Sequence, residues 1–140
     1  MRFMIIVKAT ADSEAGRFPP DMDRLMAQMA AYHEQLAQAG VLLDASGLQP
    51  TSKGWRVRYE GSQRRVVDGP FTESKELVAG YTLIQVRSRD EALEWSRRFP
   101  NPVGEGQPAE IEVRQLYELE DFQDQGLGEG AARFQKMGAL

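Results

Sequence analysis

Val66-Val67-Asp68-Gly69-Pro70-Phe71 closes one run of strand formers, and Val78-Ala79-Gly80-Tyr81-Thr82-Leu83-Ile84-Gln85-Val86 opens the next. The turn between them is made of residues with separate mechanical roles. Asp68 accepts backbone N–H bonds, Gly69 tolerates unusual backbone angles and Pro70 fixes φ. Phe71 then offers an anchor that inserts into the core. In the second run Tyr81, Leu83 and Gln85 alternate against Thr82, Ile84 and Val86, the period of a strand. Upstream of the turn, Trp55, Val57 and Tyr59 alternate with Arg56 and Arg58. Glu60-Gly61-Ser62 reverses the chain and Arg64-Arg65-Val66-Val67 returns, which is a hairpin signal.

Working outward, Phe3-Met4-Ile5-Ile6-Val7 reads as a first strand and Thr10 to Arg17 as a loop. Pro19-Pro20 ends extended structure and Asp21 suits a helix N-cap. Met22, Leu25, Met26, Met29, Leu36 and Gly40 then recur at helical spacing, with Gly40 as the C-terminal cap. Val41-Leu42-Leu43 begins a strand that fades toward Ser46-Gly47. Thr72 to Glu76 is one helical turn or an irregular segment. Asp90 to Phe99 predicts a second helix, stopped by Pro100 and Pro102. Ile111, Val113 and Leu116-Tyr117 supply the last strand.

The order strand, helix, strand, hairpin, strand, helix, strand is that of a ferredoxin-like α+β fold, with two main helices on one face of an antiparallel sheet. The strands carry apolar residues on both faces: Phe3, Ile5 and Val7 against Met4 and Ile6, and Tyr81 and Leu83 against Ile84 and Val86. Helices on one side leave the other apolar face to a second sheet, so a homodimer joined sheet to sheet is expected. Residues 1–118 read as one domain. Residues 119–140, acidic and glycine-containing at first, read as a tail or a short docking helix.

Composition narrows the classes. The 140 residues are 41% apolar and 27% charged, ordinary for a globular domain able to bury its own core. A net charge of −4 disfavours a nucleic-acid partner. The absence of cysteine excludes a disulfide framework, a thiolate metal site and a cysteine nucleophile. Met1 to Ala9 lacks the basic and cleavage regions of a signal peptide, and no run approaches the roughly 20 apolar residues of a membrane helix. A cytoplasmic protein without cofactor or metal is expected.

Val67-Asp68-Gly69-Pro70-Phe71-Thr72-Glu73-Ser74-Lys75-Glu76, followed by Ala79-Gly80-Tyr81, resembles the signature of the DGPF family, within the YCII-related group. Gly40-Val41-Leu42, Gly47-Leu48-Gln49-Pro50 and Asp90-Glu91-Ala92-Leu93-Glu94-Trp95 are similar to it as well. The resemblance implies a dimeric α+β barrel with a cleft between sheet and helices. It also implies acid–base chemistry by a His-Asp pair in some of the group, and some relatives act on chlorinated aromatics. The positions of that pair fall here at Met29 and Phe99. His33 on an apolar stripe, in a fold that tends to form a pocket, leads to the expectation of small-molecule binding, with weak acid–base enzymatic activity. Several DGPF members sit beside sigma factors in their genomes, which implies a regulatory, partner-binding role as the alternative.

Among the residues themselves, His33 is the only histidine and stands on the apolar stripe of the first helix. It is the side chain best suited to proton exchange near neutral pH. Asp68 is its candidate acid–base partner; the competing reading is a turn residue and a satisfied rim histidine. Phe71, Lys75 and Tyr81 are candidate ligand contacts, Lys75 through an anionic group and Tyr81 through its hydroxyl. Arg56 and Arg58 share a strand face suited to a carboxylate or to solvent. Trp55, Tyr59 and Trp95 are expected to be packing residues, and Met22, Met26 and Met29 adaptable core.

Overall fold

The structure, a computed structural model, describes residues 1–72, 76–126 and 128–140. Strand β1 (Arg2–Lys8) is the one on which the rest is assembled. Its Phe3 and Ile5 are buried, whereas Met4 and Ile6 are half-buried, because successive side chains leave a strand on opposite faces. A short helix α1 (Ala11–Glu14) and a long helix α2 (Met22–Gln38) follow. Next come β2 (Leu42–Gly47), a 3₁₀ turn (Thr51–Lys53), β3 (Trp55–Glu60), β4 (Gln63–Asp68) and β5 (Val78–Gln85). Helix α3 (Arg89–Arg97), β6 (Ile111–Gln115), α4 (Leu119–Gln123) and α5 (Glu129–Lys136) complete the chain.

β5 and β6 flank β1, and β2 lies outside β5, giving the antiparallel order β2-β5-β1-β6. α2 connects β1 to β2 and α3 connects β5 to β6, so each helix links two strands separated by a third. This is the ferredoxin-like arrangement the element order predicts. Tyr32 and Leu36 of α2 and Ala92 and Trp95 of α3 close on Phe3, Ile5, Ile84 and Val86 in one core. Ile5, Leu36 and Ile84 are fully buried, each worth about 1.5–3 kcal/mol of transfer free energy.

Gly40 ends α2 as expected. Its φ of 73° is left-handed, and Val41 N–H reaches back to Leu36 O at 3.0 Å. Asp21 holds the N-cap position but makes no side-chain cap bond.

Several readings are corrected. Thr10 to Arg17 is not all loop: Thr10 and Ser13 form a reciprocal capping box, which suffices for one helical turn. The stripe of α2 holds at Leu25 and Leu36, but Tyr32 joins them in the core while Met26 is exposed and Met22 and Met29 are only half-buried. β2 does not fade but runs to Gly47, with an irregularity at Leu43 that leaves this side chain outside the core. Above all, the hairpin does not join the sheet. Among the described residues β3 and β4 pair only with each other, and Trp55 and Tyr59 are 65% and 69% exposed rather than packed. Trp95 is buried as expected. The expected turn at Thr72 to Glu76 lies mostly outside the described residues. No helix of the described residues is long and apolar enough to cross a membrane.

Candidate functional site

A cleft of about 1080 Å³ opens where β1 and β2 stop and β5 starts. Val7, Lys8 and Ala79 form its sheet wall, Met22 and Leu25 its helix wall. Two loops close the sides: Glu14 to Asp21, carrying Phe18-Pro19-Pro20, and Gly47 to Lys53. Pro102 to Gln107 adds a third loop. Phe18 and Leu48 bring apolar surface to the opening, and Lys8, Arg17 and Lys53 stand with Asp12, Glu14 and Glu105 around it. Volumes near this size are those of small-molecule sites.

The wall from Pro50 to Lys53 is held by a polar network centred on Thr51. Thr51 N–H donates to Glu14 Oε1 at 3.1 Å, and its hydroxyl donates to Glu14 Oε2. The same hydroxyl accepts Phe71 N–H at 3.0 Å. Gly54 N–H donates to Thr51 O, and Gly69 N–H to Gly54 O, both at 3.0 Å. Here Gly69 is required by space: a Cβ on it would stand 1.9 Å from the Thr51 carbonyl oxygen. The Asp68-to-Phe71 turn is thus a buttress of the cleft wall.

The candidates named from sequence lie elsewhere. His33 Nδ1 is 2.7 Å from Met29 O and Nε2 is 2.8 Å from Thr82 Oγ1. A carbonyl only accepts, so Nδ1 carries a proton; in the neutral ring Nε2 accepts the Thr82 hydroxyl. Thr82 is 2% exposed, and Tyr32 and Phe99 stand edge-on to the imidazole. The ring clamps α2 to β5. Asp68 ends β4 across from Trp55, exposed and in a different sheet, and no hydrogen bond joins it to His33.

Phe71 is not in the buried core. The core side is already filled by α2 and α3, and the half-buried Phe71 ring instead receives the Arg56 guanidinium at 3.7 Å. Tyr81 lies on the sheet face away from α2 and α3. Its hydroxyl donates to Asp44 Oδ2 at 2.8 Å, and that bond to a carboxylate raises its pKa. Lys75 lies outside the described residues. None of His33, Asp68, Phe71 and Tyr81 lines the cleft.

The residues that do line it, Phe18, Leu25, Leu48 and Lys53 among them, carry no catalytic spacing that a sequence could advertise. Gly47-Leu48-Gln49-Pro50 was the one visible signal. Among the described residues no three His, Asp or Glu side chains converge as a metal site would need.

Fold and cleft define a small α+β protein with a ferredoxin-like sheet and a solvent-open cavity at one sheet end. The chain belongs to the YCII-related family, whose domain model it matches over residues 1–119. An uncharacterised protein of Rhizobium meliloti (strain 1021) is 35% identical over 79 residues, 56% of this chain; the chain spans 64% of that relative's length. Among solved structures, 5-chloro-2-hydroxyhydroquinone dehydrochlorinase of Burkholderia phenoliruptrix AC1100, in complex with 2,5-dihydroxybenzoquinone, is similar at a TM-score of 0.42. It shares 16% identity, over 86% of this chain and 98% of that one.

Proposed function

We propose that this chain is a small-molecule-binding member of the DGPF branch of its family, working as a homodimer joined sheet to sheet. The ligand enters the cleft between the start of α2 and the Gly47 to Lys53 wall. The cleft itself is the observation that carries the reading. Its apolar side chains and mixed charged rim suit a small organic molecule with an apolar body and a polar end. The buttress from Gly69 and Phe71 through Thr51 to Glu14 keeps the wall in place before the ligand arrives, which lowers the ordering cost of binding. Binding here does not require proton transfer between His33 and Asp68. The dimer is supported by Met4, Ile6, Tyr81 and Leu83, which pair across β1 and β5 on the face that α2 and α3 leave open.

The test is amide chemical-shift mapping with a set of small aromatic and aliphatic acids. Shifts confined to residues near Phe18, Leu25, Leu48 and Lys53, abolished by Leu48→Arg, are expected. Shifts clustered instead in the smaller apolar cavity that Tyr117, Phe122 and Phe134 line beside α4 and α5 would remove the cleft from consideration. Light scattering at micromolar concentration is expected to give twice 15.7 kDa; the monomer mass would refute the dimer.

A further inference from the structure

We propose that the hairpin β3–β4 is a docking arm whose Trp55, Val57, Tyr59 and Val66 face lies on a second copy of this chain. The proposal rests on the homodimer proposed above and adds a contact that sheet-to-sheet packing alone does not need.

The arm is two-faced. The cross-strand pairs are Trp55 with Asp68, Val57 with Val66 and Tyr59 with Arg64 on one side. Arg56 with Val67, Arg58 with Arg65 and Glu60 with Gln63 occupy the other. Side chains opposite each other share a face, so the first set makes an apolar strip edged by Arg64, whose guanidinium sits 4.9 Å from the Tyr59 ring centre. Alternation of this kind is what one-sided burial requires. Yet Trp55, Tyr59 and Val66 are all more than 60% exposed in the single chain. A two-stranded hairpin on its own is marginal in water and acquires stability from whatever covers its apolar face.

Area and charge point to a second copy. Trp and Tyr bury about 150–250 Å² each, so at these exposures the two rings offer on the order of 300 Å². A stable interface takes about 800 Å² per partner. The strip falls short alone, and the half-buried Met4, Ile6, Tyr81 and Leu83 face is a second apolar surface on the same molecule. A two-fold dimer uses both surfaces from both copies. From Trp55 to Asp68 the chain holds Arg56, Arg58, Arg64 and Arg65 against Glu60 and Asp68, a net +2. The whole chain is −4, which leaves −6 on the body. The +2 lies on the face away from the strip, with Arg56, Arg58 and Arg65 against Glu60, while Arg64 and Asp68 balance on the strip itself. One arm is therefore repelled by another arm, and the neutral strip can lie on another copy's apolar sheet face without burying a net charge. Exposed Trp, Tyr and Arg are also the side chains that dominate binding energy at interfaces.

The native tryptophans report the contact. Trp95 is buried within the chain, so acrylamide quenching at 295 nm excitation reads Trp55. Quenching measured on either side of the dimer dissociation constant is expected to show Trp55 open when dilute and shielded when concentrated. Trp55→Ala is expected to weaken the dimer by about 30-fold or more in analytical ultracentrifugation, as an interface hot spot would. A wild-type dimer with Trp55 freely quenched and with Trp55→Ala dimerising normally would overturn the arm and leave the sheet-to-sheet dimer standing. A monomer at every concentration would overturn both. Trp55 shielded only by an added thymidine 20-mer would assign the strip to single-stranded nucleic acid and overturn the proposal.

Discussion

β1 and β3 carry the same message in sequence and meet different fates. Each offers an apolar face, Phe3, Ile5 and Val7 on β1 and Trp55, Val57 and Tyr59 on β3, and each lies in an antiparallel pair. Phe3 and Ile5 disappear under α2 and α3, while Trp55 and Tyr59 stand in solvent. Period-two patterning states that a strand has a face to cover; it does not state what covers it. In the body the cover is encoded nearby, by the stripes of α2 and α3. For the arm no element among the described residues fills that place, and the cover proposed is a second molecule.

The largest way to sharpen this contrast is to remove bulk from each region. Leu36→Ala in the body is expected to cost about 2–5 kcal/mol in urea unfolding, since Leu36 is fully buried. Gly69→Ala comes next. Its Cβ meets the Thr51 carbonyl, so about 1–3 kcal/mol is expected, with faster exchange of the Phe71 amide as the wall loosens. Thr82→Val leaves His33 Nε2 without its partner and is expected to cost a similar 1–3 kcal/mol, partly recovered when His33→Leu is added.

Tyr32→Phe removes a 2.7 Å bond to Trp95 O, about 0.5–1.5 kcal/mol. Burial pushes the Tyr32 hydroxyl up to about 12, against an ordinary value near 10. The folded state therefore holds this proton more tightly, and its contribution is fully present below pH 10 and lost as pH rises toward 12. Alkaline titration of the wild type is expected to show that decline and the Phe variant to lack it. The smallest effect belongs to the arm: Trp55→Ala in dilute solution is expected to shift unfolding by less than about 0.5 kcal/mol. A large loss there would mean that the strip is packed within its own chain.

The sheet order and both main helices were legible because each rests on a strong local signal. Pro19-Pro20 and Gly40 bracket α2, Pro100 and Pro102 stop the chain after α3, and β1 and β5 are dense in β-formers. The α2 face was legible at Leu25 and Leu36; Met26 shares their spacing but stands in solvent, and Tyr32, absent from the apolar pattern, is the third buried side chain. The hairpin was legible as a hairpin but not as a separate sheet, since pairing between distant strands leaves no mark in either one alone. The cleft was least legible. It is formed where three loops meet the end of the sheet and the start of α2, and loops carry no period. Asp68-Gly69-Pro70-Phe71 stood out because a glycine must pass a backbone carbonyl there, which marks a mechanical need and not a reacting group.

The contrast between body and arm is tested most directly by amide hydrogen exchange of the wild-type protein at two concentrations. Amides of β1 and β5 are expected to be protected equally in dilute and concentrated samples. Those of β3 and β4 are expected to exchange quickly when dilute and to slow when a second copy is available. Arm amides as protected as the sheet at both concentrations, or open at both, would contradict the account.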